Sequence, residues 1–461
     1  MQAKPQNHLV NKVRLLLEVE SEALALRVRK EWAKTLETRL SEIIDRVCTQ
    51  NLLPEEWLKI DRLEIDLGAL TPEDISQKWV SLFEVAFEKK IKEQRTQTSL
   101  QERQALKEHS DLETLLFFLE KGYLPWWAQS QSLDLDGLLQ ELIDKQVVNL
   151  KTALQETLRK PQAFKRLIYQ INIPILLALL SNGGLSQQEV QVWILPLLQK
   201  VKNAIDSEST IYKGSNQIFQ LLISNMNQAQ TWQVLAYLLE QSILGNTAIQ
   251  DLLSAEEKIP LFLEEILKQS PKLIQTTEKE TTIQKRDLEI IQAAEHLYIQ
   301  QAGLVLLAPF LPAFFRATDL LDSQSQFKSA EAQQYAVYLL HELATGDAPL
   351  PEFSLVLEKL LCGMPFEEAI PTEIKITESH QKEALLLLEE VIGHWTALKS
   401  SNPRELREAF LKRAGSIEAK GLGEWLIRVE RQTWDILLEK IPWGFSLLKL
   451  PWTNNLIHVI W

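Results

Sequence analysis

The chain has 461 residues, of which 45% are apolar and 24% charged, the balance of a globular protein with a sizeable core. Its net charge of −13 argues against a nucleic-acid backbone or an anionic membrane surface as main partner, because phosphate contacts need a basic face. Two cysteines, Cys48 and Cys362, can build neither a disulfide framework nor a metal motif at this spacing, so both are expected as buried apolar residues in a reducing compartment.

The opening "MQAKPQNHLV" carries no apolar run, and no signal peptide is expected. In residues 12–19, Val13, Leu15, Leu17 and Val19 share one face, which predicts a half-buried strand. From Glu22 to Cys48 the apolar residues Val28, Trp32, Leu36, Leu40, Ile43, Ile44 and Val47 recur at helical spacing. Leu63, Ile65 and Leu67 then alternate with Glu64 and Asp66, a second strand that Gly68 ends. Thr71-Pro72-Glu73-Asp74 starts a helix, with Ile75, Trp79, Leu82, Phe83, Ala86 and Phe87 on its apolar face. These elements predict a βαβα module over residues 1–95. Two strands are marginal as an isolated sheet, so something must complete it.

Residues 110–271 read as helices only. Ser110 and Glu113 fit a capping box, Gly122 can stop the helix that follows, and "GYLPWWAQ" makes an apolar corner. The later segments are short, Leu-rich and broken by Pro or Gly, which suggests stacked helix pairs in a solenoid-like body. The polar stretch 272–288 is a candidate linker to a second helical domain, 289–461. There, 297–315 is uncharged, but Gln300, Gln301, Pro309 and Pro312 favour a buried helix and turn over a membrane span. Further helices are expected over 336–347, 355–370, 383–395, 402–415 and 423–443. The tail is different. "FSLLKL" and "LIHVIW" flank "PWTNN", which predicts a C-terminal β-hairpin with Trp461 in its second strand. Its partner is expected to be the incomplete N-terminal sheet or another subunit. The fold class is therefore mainly α: an N-terminal βαβα module, a helical solenoid-like body and a C-terminal β-hairpin. Strands are confined to the first 70 and the last 17 residues.

Chemistry is sparse. His341-Glu342 begins like a zinc-protease motif, but Thr345 stands where the second His is needed. Glu390 and His394 are four apart on a helix, with nothing else converging on them. Gly421-Leu422-Gly423 is a lone GxG and reads as a turn with no strand before it. No catalytic, cofactor-binding or metal residue is assigned, and an enzyme is not expected. Tryptophan stands out, with 13 copies and three Pro-Trp pairs at 125–126, 442–443 and 451–452. Such corners either lock helices together, the plainer reading, or anchor a partner. Trp126, Trp127, Trp443, Trp452 and Trp461 are the candidate partner anchors.

A set of stretches in order carries a resemblance. They are "EALAL" (22–26), "LKIDRLEIDLGAL" (58–70), "FLEKGYLPWWA" (118–128), "AGLVLLAPFLPAFF" (302–315), "YLLHELATGD" (338–347), "VLEKLLCGMPFEEAI" (356–370) and the ending "LKLPWTNNLIHVIW". Together they resemble contractile injection system tape measure proteins. The resemblance implies a non-enzymatic part of a machine built from sheath, inner tube, baseplate and spike. It implies a role in setting inner-tube length, assembly in the cytoplasm into the particle, and inner-tube, baseplate or spike proteins as partners. No cofactor, nucleic acid or membrane contact is expected. As one helix the chain would reach at most ~690 Å at 1.5 Å per residue. Its 18 Pro, 15 Gly and many short capped helices describe a compact body instead, an assembly factor docked on tube, baseplate or another tape protein. The alternative is a helical chaperone or loading scaffold for tube cargo.

Overall fold

The computed structural model describes residues 22–52, 58–60, 62–69, 78–97, 100–128, 133–181, 297–347, 350–372 and 374–461, with Thr71 and a few positions before 22. Helices dominate, so the mainly α expectation holds. Contacts divide the chain into two units, Met1–Glu113 and Thr114–Trp461.

The first unit is built on two helices, Glu22–Asn51 and Trp79–Gln97. Their apolar stripes meet in a core of Ile43, Val47, Cys48, Phe87 and Ile91, with Phe83 stacked on Phe87 at 5.6 Å. Arg46 and Glu84 pair at 2.8 Å across the same two helices. Leu63 and Ile65 pack on this core while Glu64 and Asp66 face solvent, so the alternation reports burial correctly. It does not report a strand. Residues 62–69 and the described positions of 12–19 form no ladder, and the expected βαβα sheet is not seen among the described residues. An alternating segment becomes a strand only with a partner for its backbone, and none of the described residues pairs with this one. The capping box at Ser110 is also corrected. Ser110 lies inside the helix Leu100–Lys121, which the preceding Gln, Glu, Ala and Lys residues start earlier. Gly122 does end that helix, in the left-handed region at φ 79°.

Four short helices follow in the second unit: Leu135–Asp144, Leu150–Thr157, Pro161–Gln170 and Ile173–Ser181. Residues 182–296, including the expected linker and the rest of the expected solenoid, lie outside the described residues. From 297 onward a five-stranded sheet appears: β1 (Leu297–Ile299), β2 (Gly415–Gly421), β3 (Glu424–Val429), β4 (Leu447–Leu448) and β5 (Leu456–Ile460). Their spatial order is β1-β2-β3-β5-β4. Pairing is antiparallel except between β3 and β5, which run parallel. The register places Leu297, Ile417, Ile427 and Val459 in one buried row. The adjacent outward row is Tyr298, Ser416, Arg428 and Ile460.

This sheet corrects three expectations. Strands are not confined to the ends of the chain. The stretch 423–443 is not a helix: it opens as β3 and continues in the 3-10 turn Thr433–Lys440. A strand does precede Gly421-Leu422-Gly423, which turns β2 back onto β3 with Gly423 at φ 72°. The C-terminal hairpin itself is present as β4 and β5. Where an N-terminal sheet or another subunit was expected, the hairpin's further partner is β3 of the same unit.

Helices cover the inner side of this core. Ala330–Thr345 is capped by Ser329 and stopped by left-handed Gly346, and Glu378–His394 is capped by Thr377. The "AGLVLLAPF" stretch is a 3-10 helix, Ala302–Phe310, running into the helix Leu311–Ala317. Among the described residues no helix is long and apolar enough to cross a membrane. The expected helix 355–370 is cut to Val356–Leu361, and 402–415 to Pro403–Leu406 followed by a π turn, Arg407–Leu411. Gly303 shows how closely these pieces meet. A Cβ there would stand 1.7 Å from the Phe410 carbonyl oxygen and 2.7 Å from Leu411 Cα. Gly303→Ala is therefore expected to cost about 3 kcal/mol, read as a lowered urea midpoint. An unchanged midpoint would show that the two backbones can part.

Candidate functional site

The five expected anchors do not form one surface. The Trp443 indole donates to the Leu306 carbonyl at 3.0 Å and meets Phe310 edge-on at 4.9 Å. It also touches the fully buried Trp395, which packs on Phe410 at 4.7 Å. Trp452 is buried, donates to the Leu361 carbonyl at 2.9 Å, and lies against Phe315 and Phe327. Both corners thus face inward, with the N–H of each indole used inside the fold. Half-buried Trp461 packs on Phe445, and its carbonyl accepts from Arg431 at 2.9 Å. The Arg413 guanidinium is fully buried between the Phe410 and Trp461 rings, 5.8 and 5.9 Å from their centroids, and donates to Asp435 at 2.8 Å. Trp126 and Trp127 are half-buried and meet edge-on, with Trp127 beside Phe117. Among the described residues, the tryptophan most open to solvent is one the sequence reading passed over. Trp434 is 55% exposed beside Ile436, while Asp435 between them is held by Arg413. Its signal was available, since "TWDIL" sets two bulky apolar residues either side of an acid.

Among the described residues, the densest polar convergence is internal. Helix Pro161–Gln170 buries Ala163, Phe164 and Leu167, and Arg166 lies buried among them. Its guanidinium donates to Glu352 Oε1 at 3.0 Å, to the Glu367 carbonyl at 2.7 Å and to the Leu119 carbonyl. The Lys359 ammonium reaches the same Glu352 oxygen at 2.5 Å, and also the carbonyls of Phe366 at 3.1 Å and Glu368 at 2.6 Å. All three side chains are sealed from solvent. Burial pulls Lys359 below the usual lysine range, and Glu352 opposes that pull. The Tyr338 hydroxyl is pushed up by burial and by the Glu352 charge. Glu358, one residue before Lys359, is also buried; His341 Nδ1 stands 3.8 Å from its carboxylate. His341 is thus a core histidine on the helix Ala330–Thr345, and Glu390 and His394 lie exposed on their own helix. Both cysteines are buried and free, as expected, and burial raises both thiols, Cys48 to about 11.

Sequence reasoning missed this cluster because its members are 186 and seven positions apart. The visible hint was a charged residue within an apolar helical face, at Arg166 in "AFKRLIYQI" and at Lys359 in "VLEKLLC". Enclosed charges of this kind tie segments together.

A family model described as contractile injection system tape measure protein matches residues 7–461. No curated protein matches the chain, and no solved structure does.

Proposed function

Because the chain belongs to the contractile injection system tape measure protein family over residues 7–461, we propose that it is a non-enzymatic assembly component that governs formation and length of the inner tube. The near-complete span of that match carries the reading. Its partners on this view are the inner tube, baseplate or spike proteins, and it assembles with them in the cytoplasm. The surface Trp434–Ile436 turn and the half-buried Trp126–Trp127 corner are the tryptophan sites best placed to touch them.

Mass spectrometry of purified particles, with co-purification of tube and baseplate subunits, tests the reading. The chain is expected in the finished particle. Its absence there, with binding to tube subunits retained, would favour the chaperone or loading role instead. The length role is tested separately. Twenty-one helix-forming residues inserted near Thr281 would add about 32 Å to the tube if the chain acted as one extended helix at 1.5 Å per residue. No change is expected in electron micrographs, since control of length is read as acting through docking and not through contour. A length increase that scales with the insert would establish a literal ruler.

A further inference from the structure

Residues 114–181 and 297–461 belong to one unit although a long stretch of chain joins them. The contact between them is built like a socket. Helix Pro161–Gln170 addresses the backbone of 352–372 at successive positions. Gln162 accepts from Ala369 N at 3.0 Å and donates to the Glu368 carboxylate at 2.8 Å. Gln170 accepts from Glu352 N at 3.2 Å and donates to the Ile370 carbonyl at 3.1 Å. Thr372 returns a bond to the Tyr169 carbonyl at 2.9 Å. Beneath this rim, Arg166 and Lys359 grip Glu352, and Phe118 meets Phe353 edge-on at 5.8 Å. Gly122 fits only without a side chain, since a Cβ would stand 2.3 Å from the Phe366 carbonyl oxygen.

We propose that this socket, with the Arg166–Glu352–Lys359 cluster at its base, is a clasp that holds 114–181 to 297–461 independently of the chain that connects them. Bonds to backbone at both the rim and the base fix register, and the shared carboxylate fixes orientation. A connecting segment whose two flanks are fixed to each other adds its length to a closed excursion. It adds nothing to the distance between the ends of the unit. The inference concerns the chain itself and stands whether the protein acts as a docked assembly factor or a chaperone; a tube that lengthened with an insert near Thr281 would contradict it.

The test uses the full chain carrying a protease recognition sequence near Thr281. After cutting, the two pieces are expected to co-elute on gel filtration at the position of the uncut protein. Separation of the pieces under native conditions overturns the proposal. Arg166→Met, which keeps an apolar stem and removes the charge, is expected to make the cut pieces separate. Pieces that stay together as tightly as before would show that the ionic base is not the clasp. Should Arg166→Met not fold, Gln162→Ala at the half-buried rim keeps the test open. Loss of its two bonds is expected to weaken association of the cut pieces about tenfold. Unchanged association in that variant also overturns the proposal.

Discussion

Deletion of residues 451–461 is expected to leave the C-terminal unit without a cooperative melting transition. The segment supplies β5, which lies between β3 and β4, and so its loss opens both flanks of the sheet. It also removes Trp452 from its slot against Phe315 and Phe327, and the buried Ile457 and Val459 from the core. Truncating a buried tryptophan alone costs about 3–5 kcal/mol. Added to two buried aliphatic residues, that approaches the roughly 5–15 kcal/mol by which whole domains are stable. Trp452→Ala should therefore lower the urea midpoint of the full chain, and the deletion should abolish the transition. Tryptophan fluorescence and calorimetry read both. A truncated chain that melts like the intact one would refute the idea that β5 is integral.

Lys359→Met should cost about 3–5 kcal/mol, because removing one partner strands a buried opposite charge. Methionine matches the stem of lysine but cannot serve Glu352 or the Phe366 and Glu368 carbonyls, which all accept from this ammonium. Replacing Arg166, Glu352 and Lys359 together by apolar residues should not restore stability. In many buried ion pairs that exchange is neutral. Here the two cations also donate to the carbonyls of Leu119, Phe366, Glu367 and Glu368, and each of these would lose that donor. Chemical denaturation of the single and triple variants decides it, and a triple variant as stable as the parent would show that those carbonyls find other donors.

Much of the helical framework was legible from residue spacing. The stripe through Leu40, Ile43 and Val47 and the one through Phe83 and Phe87 became the first unit's core, because an amphipathic helix has one way to hide its apolar face. The tail hairpin was legible from Pro451 and the two asparagines that follow Trp452 and Thr453. The hairpin of β2 and β3 was missed. Leu426, Ile427, Val429, Trp434, Leu437 and Leu438 fit helical spacing, yet Trp425, Ile427 and Val429 also alternate at the spacing of a strand. Only the glycines at 421 and 423 separate the two readings. The error at residues 62–69 was the reverse. Alternation there is real in burial, but a ladder depends on a neighbour that no local pattern encodes. The Arg166–Glu352–Lys359 cluster lay beyond reach for the same reason, since its partners meet only after the long-range fold has formed. The tryptophan corners were visible as corners, but whether they turned inward depended on aromatic neighbours such as Phe310, Phe315 and Trp395 that are distant in sequence.

The parallel pairing of β3 with β5 sets a clock on synthesis. Residues 424–429 are made before 456–460, so the β2–β3 hairpin can form before β5 is in place. The β2–β3 hairpin can close within about 10 μs of emerging. Until β5 docks, β3 carries β2 on one side and a row of open backbone donors and acceptors on the other, the kind of edge that captures foreign strands. Neighbouring nascent chains on one polysome present identical edges at high local concentration. Chains held close together before β5 docks can therefore pair through this edge instead of completing the native sheet.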